Sequence, residues 1–395
     1  LNSRRPSPPR RRSGERRPRP IAAWQAIAIE VIRRADRQHP ADAVLRDVLR
    51  DHARQDPDLA RTVVARVTDY YRWRGCLEPR WTRIEQLDRA AALQDRFQQS
   101  PADFPGDLLA RIVPRWIEGA LEVSRPWLES LQQPPAVWLR ARPGRGADLA
   151  RRLGDCRPAG PGPLQDALAY HGSSDLFHTP EFQAGEFEVQ DLSSQVVGLI
   201  CQPEPGAAWW DVCAGEGGKT LHLADLMQNR GLVWATDRAG WRLDRLRRRA
   251  ARARLFNCRL RVWRSPPEPA LRTRFAGVLV DAPCSGVGTW QRNPQARWTT
   301  GPADVDELAR LQGHLLATAA AALRPGGRLI YAVCTLTRSE TAGVADRFEQ
   351  AHPGFEPWPI PDPAGGGRPQ GARLWLGPPA TPGNGMFVAA WRRMK

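Results

Sequence analysis

Lysine is nearly absent. Of 58 basic residues only Lys219 and Lys395 are lysines; the rest are arginines. Arginine stacks on bases and forks onto phosphate, which suits RNA; replacement of lysine codons in a GC-rich genome is the alternative reading, and it makes the one internal lysine conspicuous. Acids are also in deficit, 42 against 58, which leaves a net charge of +16 and a pI near 10.8. A field of that sign attracts polyanions, nucleic acid first and an acidic membrane surface second. Seven cysteines are present, Cys76, Cys156, Cys201, Cys213, Cys258, Cys284 and Cys334. Their number is odd, none has C-x-x-C spacing, and no histidine cluster completes a metal set. That argues against zinc and against a disulfide scaffold. Free thiols fit a reducing compartment. No run of about 18 apolar residues exists to span a membrane, and no apolar run after the N-terminal arginines makes a signal peptide. A cytoplasmic, metal-free monomer is the expectation.

The length of 395 residues fits two or three domains. Residues 1–20 hold eight arginines, one glutamate and five prolines, about +7 in all, and cannot bury a core. This tail is read either as an RNA-binding arm or as solvated low-complexity sequence. Residues 21–105 carry apolar positions at helical spacing, over Ile21–Arg34, Val44–His52 and Leu59–Trp73. They read as a small all-α domain with Tyr71, Trp73 and Trp81 in its core. Residues 106–185 are broken by prolines and read as an α+β connector. Its strands are placed at Val137–Arg140 and Ala167–His171, and its helix at Ala147–Leu153. From residue 186 to 395 strands and helices alternate. Strands are read at Ala207–Cys213, Leu232–Thr236, Val278–Val280, Arg328–Val333 and Met386–Trp391. Helices are read at Lys219–Met227, Trp241–Leu255, Ala303–Leu323 and Arg338–Gln350. That order predicts an α/β, doubly wound sheet with its ligands at the carboxyl ends of the strands.

Two stretches at those ends carry chemistry. Asp211-Val-Cys-Ala-Gly-Glu-Gly-Gly-Lys-Thr220 follows a strand and opens a helix, so its glycines bring backbone N–H groups close to a ligand. A P-loop is excluded because Cys213 stands where its first glycine belongs. A dinucleotide fingerprint is excluded because Thr220 stands where its third glycine belongs. A nucleoside cofactor remains, with Asp237 at the end of the second strand placed to bond ribose hydroxyls; a plain glycine turn with a capping Asp is the alternative. The second stretch is Asp281-Ala-Pro-Cys-Ser-Gly-Val-Gly-Thr-Trp290, and Tyr331-Ala-Val-Cys-Thr335 ends the next main strand. A single buried cysteine is ordinarily a small core residue. Cys284 and Cys334, both at the functional edge of one parallel sheet, are able to approach one substrate.

Together these strings resemble the RsmB/NOL/NOP/Sun family of RNA cytosine-5 methyltransferases. Asp211–Thr220 resembles that family's D-x-C-A-x-x-G-G-K-T loop. Asp281–Trp298, with Arg292 and Pro294, resembles its D-A-P-C-S-G-x-G…R-x-P…W motif. Tyr331–Thr335 resembles Y-x-x-C-[ST], followed by an acid at Glu340. Gly185–Ser194 resembles the lead into the catalytic domain and Gly385–Ala389 the last strand. The helical region, notably Asp69–Leu77, is similar to the NusB-like RNA-binding domain of the bacterial 16S rRNA members. The resemblance implies a Rossmann-like class I methyltransferase domain with S-adenosylmethionine held by Cys213, Ala214, Gly215, Glu216, Gly217, Gly218, Lys219, Asp237 and Asp281. It implies Cys334 as the nucleophile on carbon 6 of cytosine, with Lys219 among the groups that lower its pKa. Asp281 is implied to bond the base amino group and ring nitrogen 3, and Cys284 to assist elimination. The implied substrate is single-stranded or flipped-out RNA, with small-subunit rRNA ahead of tRNA. The departures are Glu216 for Pro, Gly215 for Ala, Thr341 for Asn, and Val262-Trp-Arg-Ser-Pro266 where an acid usually meets the cofactor adenosine. That missing acid leaves a ribosome-assembly RNA binder with a dead cofactor site as the non-enzymatic alternative.

If the tail is an RNA arm, deleting residues 1–20 weakens RNA binding in a salt-dependent way. The log–log salt slope falls by up to about 5, at about 0.7 per lost phosphate contact on single strands. A titration of affinity against salt that gives the same slope for both chains removes the tail from the RNA interface.

Overall fold

A computed structural model describes residues 21–263 and 274–395. The arginine-rich tail and the Arg264–Pro266 part of the acid-free departure lie outside the described residues.

The chain opens with α1 (Ala23–Arg34), α2 (Ala41–Val48), α3 (His52–Gln55), α4 (Pro57–Trp73) and α5 (Arg83–Gln99). The two long helices start where their sequences supply caps. Asp56 accepts from the Leu59 N–H at 2.9 Å ahead of Pro57. Thr82 and Glu85 cap each other's backbone at 2.7 and 3.3 Å. Their apolar faces enclose a core in which Trp73 lies 5.0 Å from Phe104 and 6.0 Å from Phe97. Tyr71 and Trp73 are buried there, whereas Trp81 is only half-buried, with the Arg89 guanidinium 5.3 Å over its ring.

The helical unit does not end near residue 105. The short helices α6 (Gly106–Ala110), α7 (Ile117–Ala120) and α8 (Arg125–Ser130) bury Leu109, Ile112, Ile117, Trp127 and Leu131 in the same core. The α+β unit begins only at β1 (Val137–Ala141). It continues through α9 (Gly146–Leu153), β2 (Cys156–Pro158), β3 (Ala167–Tyr170), α10 (Pro180–Gln183) and β4 (Phe187–Val189). Its antiparallel sheet has the order β2-β3-β1-β4. Ion pairs dock it: Arg140 and Arg142 both reach Asp225, and Glu188 takes Arg249 at 2.9 Å and Arg252 at 2.5 Å.

The C-terminal domain runs α11 (Leu192–Cys201), β5 (Ala208–Asp211), α12 (Gly218–Leu226), β6 (Leu232–Asp237), α13 (Gly240–Arg252), β7 (Cys258–Val262) and β8 (Phe275–Asp281). Then come α14 (Pro302–Ala320), β9 (Leu323–Val333), α15 (Ala342–Ala351), β10 (Phe355–Pro357), β11 (Arg368–Gln370), β12 (Arg373–Leu376) and β13 (Met386–Arg393). Strand order is β11-β12-β13-β9-β8-β5-β6-β7, with β10 on β13; β7 to β9 are parallel and the β13 side is antiparallel. Central β5 buries Trp209 in one face's core and Trp210 in the other's, as a strand covered by helices on both sides must. The chain leaves β5 for β6 and β7 on one side and returns to β8 and β9 on the other. The crevice at the carboxyl ends of β5 and β8 is therefore the topological switch point, where doubly wound sheets bind ligands.

The sequence reading departs from the structure at further points. The helix expected from Arg338 starts at Ala342, because residues 337–341 turn around Glu340. The strands β10, β11 and β12 have no counterpart in the sequence reading; they lie in a proline- and glycine-rich segment that reads as loop.

The helical unit is welded to the C-terminal domain. Trp290 sits in the helical core, 6.1 Å from Trp116 and 6.3 Å from Trp127. Arg297 is fully buried and donates to the carbonyls of Leu131 at 2.7 Å, Trp290 at 3.1 Å, and Arg72 and Ile112 at 3.4 Å. Arg297→Met would strand those acceptors. Buried acceptors left without a donor cost about 1–3 kcal/mol, and a destabilisation of that order is expected. The measurement is the urea midpoint at unchanged m; a loss under about 1 kcal/mol would show that the weld does not depend on this residue.

Candidate active site

Three loops meet at the switch point. The glycine loop leaves β5, and its shape requires glycine. Gly217 has φ +90°, and a Cβ there would stand 2.0 Å from the Leu246 side chain. Gly215 has φ +55°, and its N–H donates to Asp237 Oδ2 at 2.9 Å. The Asp237 Oδ1 accepts from the Ala239 N–H at 2.8 Å. Asp237 thus braces the loop, and lone pairs remain on both oxygens. Ala214 is buried below. Glu216 is drawn outward, paired with Arg245 at 2.5 Å. Cys213 packs against the core beneath the loop, where burial pushes its thiol up out of the reactive range.

Gly218 opens α12, and Lys219 points from its first turn across to Asp281, the last residue of β8. The Lys219 Nζ to Asp281 Oδ2 distance is 2.6 Å, and Ser194 Oγ lies 3.4 Å from the same nitrogen. Burial opposes the charge on Lys219, and the adjacent Asp281 carboxylate outweighs it, so the ammonium is held above its usual pKa. The other oxygen of Asp281 makes no hydrogen bond among the described residues. Below this pair lies Asp211, which accepts from Thr220 Oγ1 at 2.6 Å and keeps its other oxygen buried without a partner. Burial raises its carboxyl to about 7.

Cys284, three residues past β8, and Cys334, the first residue past β9, are brought together with their sulfurs 3.3 Å apart. The pair is asymmetric. The hydrogen bond from Cys284 lowers the Cys334 pKa against the opposing effect of burial, and Lys219 acts in the same direction as that bond. The same bond and burial raise Cys284. That asymmetry favours the negative charge on Cys334, with Cys284 as its donor. Burial pushes the other cysteines upward, Cys76 to about 11 and Cys258 to about 12, with Cys156 and Cys201 raised in the same sense. Of the seven free cysteines only Cys334 is shifted downward, the direction that favours a reactive thiolate.

A polar cluster around Glu340, the acid that follows the Tyr331–Thr335 string, ties the two cysteine loops, with Ser285, Gln312 and Thr337 as partners the sequence did not single out. Glu340 is fully buried. Its carboxylate accepts from the Ser285 N–H at 2.8 Å, Gln312 Nε2 at 3.0 Å, Thr337 Oγ1 at 2.8 Å and Thr335 Oγ1 at 3.2 Å. Tyr331 OH donates to the Glu340 carbonyl at 2.6 Å. Gln312 left a trace in the sequence: it interrupts the apolar stripe of α14 between Ala309 and Leu316, where a polar residue needs a buried partner. Arg292 spans other loops, reaching the Ala136 carbonyl at 2.6 Å and Asp191 at 3.2 Å. Among the described residues no three His, Cys, Asp or Glu side chains group as metal ligands, and no helix is long and apolar enough to cross a membrane.

A doubly wound sheet with its glycine loop, end-of-strand acid and cysteines at one edge, behind a helical N-terminal region, is a Rossmann-like methyltransferase domain. Residues 198–392 match the model of the 16S rRNA methyltransferase RsmB/F family. The ribosomal RNA small subunit methyltransferase B of Sodalis glossinidius is 30% identical over 313 residues, 77% of this chain and 69% of that protein. The chain belongs to the RsmB/F family. It is also similar to a probable ribosomal RNA small subunit methyltransferase B of a Synechocystis strain, 39% identical over 47% of this chain, and to a putative methyltransferase of Mycobacterium tuberculosis, 34% identical over 71%. The matched segments span 43% and 64% of those two relatives. Among solved structures, PH0851 superposes over 94% of this chain and 98% of its own at TM-score 0.76 and 22% identity. A methyltransferase homolog from Pyrococcus horikoshii superposes over 77% and 99% at TM-score 0.62 and 24% identity. Both show the fold.

The asymmetry of the sulfur pair is open to direct measurement. Alkylation by iodoacetamide, mapped by mass spectrometry, is expected to mark Cys334 first. Its rate should rise with pH at a midpoint below that of an ordinary thiol, because the lowered pKa ionises it earlier. Cys284→Ala removes the donor and should move that midpoint upward. A midpoint that moves down or stays fixed would mean that the contact does not stabilise the thiolate.

Proposed function

We propose that the protein transfers a methyl group from S-adenosylmethionine to carbon 5 of a cytosine in small-subunit rRNA through a covalent bond to Cys334. The observation that carries this reading is the thiolate–thiol pair of Cys334 and Cys284, beside the Lys219–Asp281 ion pair, at the switch point. The glycine loop fits the cofactor. Its backbone is held open by positive-φ glycines, the space at Gly217 tolerates no Cβ, and Asp237 retains acceptor capacity at the loop's edge. Gly215, Gly217, Gly218 and Asp237 would hold it, with Cys213, Ala214 and Glu216 lending backbone. Bound there, it supplies an electrophilic methyl on a sulfonium. The family's substrate, as named in its bacterial relatives, supports rRNA.

Carbon 5 of cytosine is a poor nucleophile until a thiolate adds to carbon 6 and turns the ring into an enamine. Cys334 is the group suited to that addition. Asp281, ionised against Lys219, accepts from the exocyclic amino group, and Lys219 is the donor beside it for ring nitrogen 3 as charge develops there. After transfer, the carbon 5 proton leaves to a base, the carbon 6–sulfur bond breaks, and Cys334 departs as thiolate. The Cys284 thiol stabilises that leaving thiolate by the hydrogen bond it already makes.

Bisulfite sequencing of rRNA and tRNA from a deletion strain tests the reading. Loss of one rRNA methylcytosine is expected; loss confined to tRNA would move the substrate, and no loss would overturn the assignment. Two variants test the chemistry. Cys334→Ala should fall below a tenth of wild-type turnover while calorimetry still registers S-adenosylmethionine. Cys284→Ala should accumulate a methylated protein–RNA adduct on a denaturing gel, dependent on cofactor and absent from the double variant. Adduct from the Cys334 variant instead would reverse the two roles.

A further inference from the structure

A cavity of about 790 Å³ opens between the helical unit and the catalytic domain, and it is not the cofactor crevice. Its lining includes Leu336, two residues past Cys334, and Leu376 at the carboxyl end of β12. Strands β9 and β12 are both antiparallel to β13, so they point the same way. The cavity therefore lies on the edge of the sheet that carries Cys334, beyond β9 and away from the glycine loop after β5. A filled cofactor crevice leaves it open. Its other wall comes from α7 and α8, tied down where the Arg338 N–H meets the Ala120 carbonyl at 2.8 Å.

The chemistry of the lining is specific. Arg338 and Arg368 face the cavity from the catalytic domain, and Glu118 and Glu122 face it from the helical unit. Among the described residues none of these four side chains has an ion-pair or hydrogen-bond partner, although nearby Arg373 is paired with Asp346 and Glu349. Trp127 and Trp375 add aromatic surface. Unpaired guanidiniums are suited to phosphate. Unpaired carboxylates accept from amino and imino edges of bases. The volume lies within the roughly 300–1,000 Å³ of ligand pockets.

We infer that this cavity receives the nucleotide next to the target cytosine, with backbone phosphate on Arg338 and Arg368 and the base edge on Glu118 and Glu122. Guanine fits best, because its N1–H and N2 amino group present two adjacent donors to one carboxylate. This rests on the methyl-transfer reading, and the test separates the two. A short single-stranded RNA copied from the site found by bisulfite sequencing carries 5-fluorocytidine at the target, whose fluorine blocks elimination. A photoreactive thionucleotide replaces each neighbour in turn. With S-adenosylmethionine and the full chain, a covalent adduct is expected whose second cross-link maps to residues 118–127 or 368–380. No adduct overturns the methyl-transfer reading and this assignment with it. An adduct cross-linked elsewhere overturns only this assignment. A methylated site without guanosine on either side overturns the base preference.

Two sets of variants read out the groups separately. Inosine for the flanking guanosine, which deletes the N2 amino group, should lower kcat/KM roughly tenfold. Glu118→Gln with Glu122→Gln should abolish that discrimination without changing S-adenosylmethionine affinity. Arg338→Gln with Arg368→Gln should reduce the salt slope of RNA binding by about 1.4, at about 0.7 per phosphate. Inosine tolerated by the wild type, or an unchanged slope, would remove the corresponding contact.

Discussion

The contact between Lys219 Nζ and Asp281 Oδ2 joins the cofactor loop to the cysteine loops, and the site depends on it. It crosses from the first turn of α12 to the end of β8, the two sides of the switch point. Each partner needs the other: an ammonium with about 10% of its side chain exposed is costly to hold without a counter-charge, and an acid left alone there would oppose the Cys334 thiolate. The pair also explains the one internal lysine in an arginine-rich chain. The position takes a compact charge at the end of a thin stem, close to both Asp281 and Ser194. A planar guanidinium is larger and fixed in its fork.

What could be read in the sequence follows the range of the interactions. The glycine loop, the Asp281–Cys284 string and the Tyr331–Thr335 string are each contiguous, and each sits where a strand ends, so residue type and local order suffice to place them. Their convergence was also legible, because a parallel sheet puts successive carboxyl ends on one edge. The sulfur–sulfur contact was not, since it depends on Glu340 and Gln312 holding loops that are far apart in the chain. The reach of the helical unit past residue 105 was hidden for the same reason: Trp290 and Arg297 complete its core from more than 150 residues downstream. Short strands such as β11, with Pro369 at its centre, lack the alternation that marks a strand.

This arrangement fixes the helical unit against the sheet edge that carries Cys334. Buried Trp290 and Arg297 tie it to the C-terminal domain, and the backbone bond from Arg338 to Ala120 holds it beside the loop after β9. On the proposed reading, a substrate strand would meet a cleft whose width is fixed before it arrives, and the net charge of +16 would favour the approach of RNA.

Glu340 has a further consequence. It touches neither sulfur, yet its carboxylate grips Ser285, next to Cys284, and Thr335, next to Cys334. The two loops therefore move as one body about a shared pivot. A substitution that loosens the grip on one cysteine loop would loosen the other with it, so the geometry of both sulfurs hangs on a side chain that touches neither.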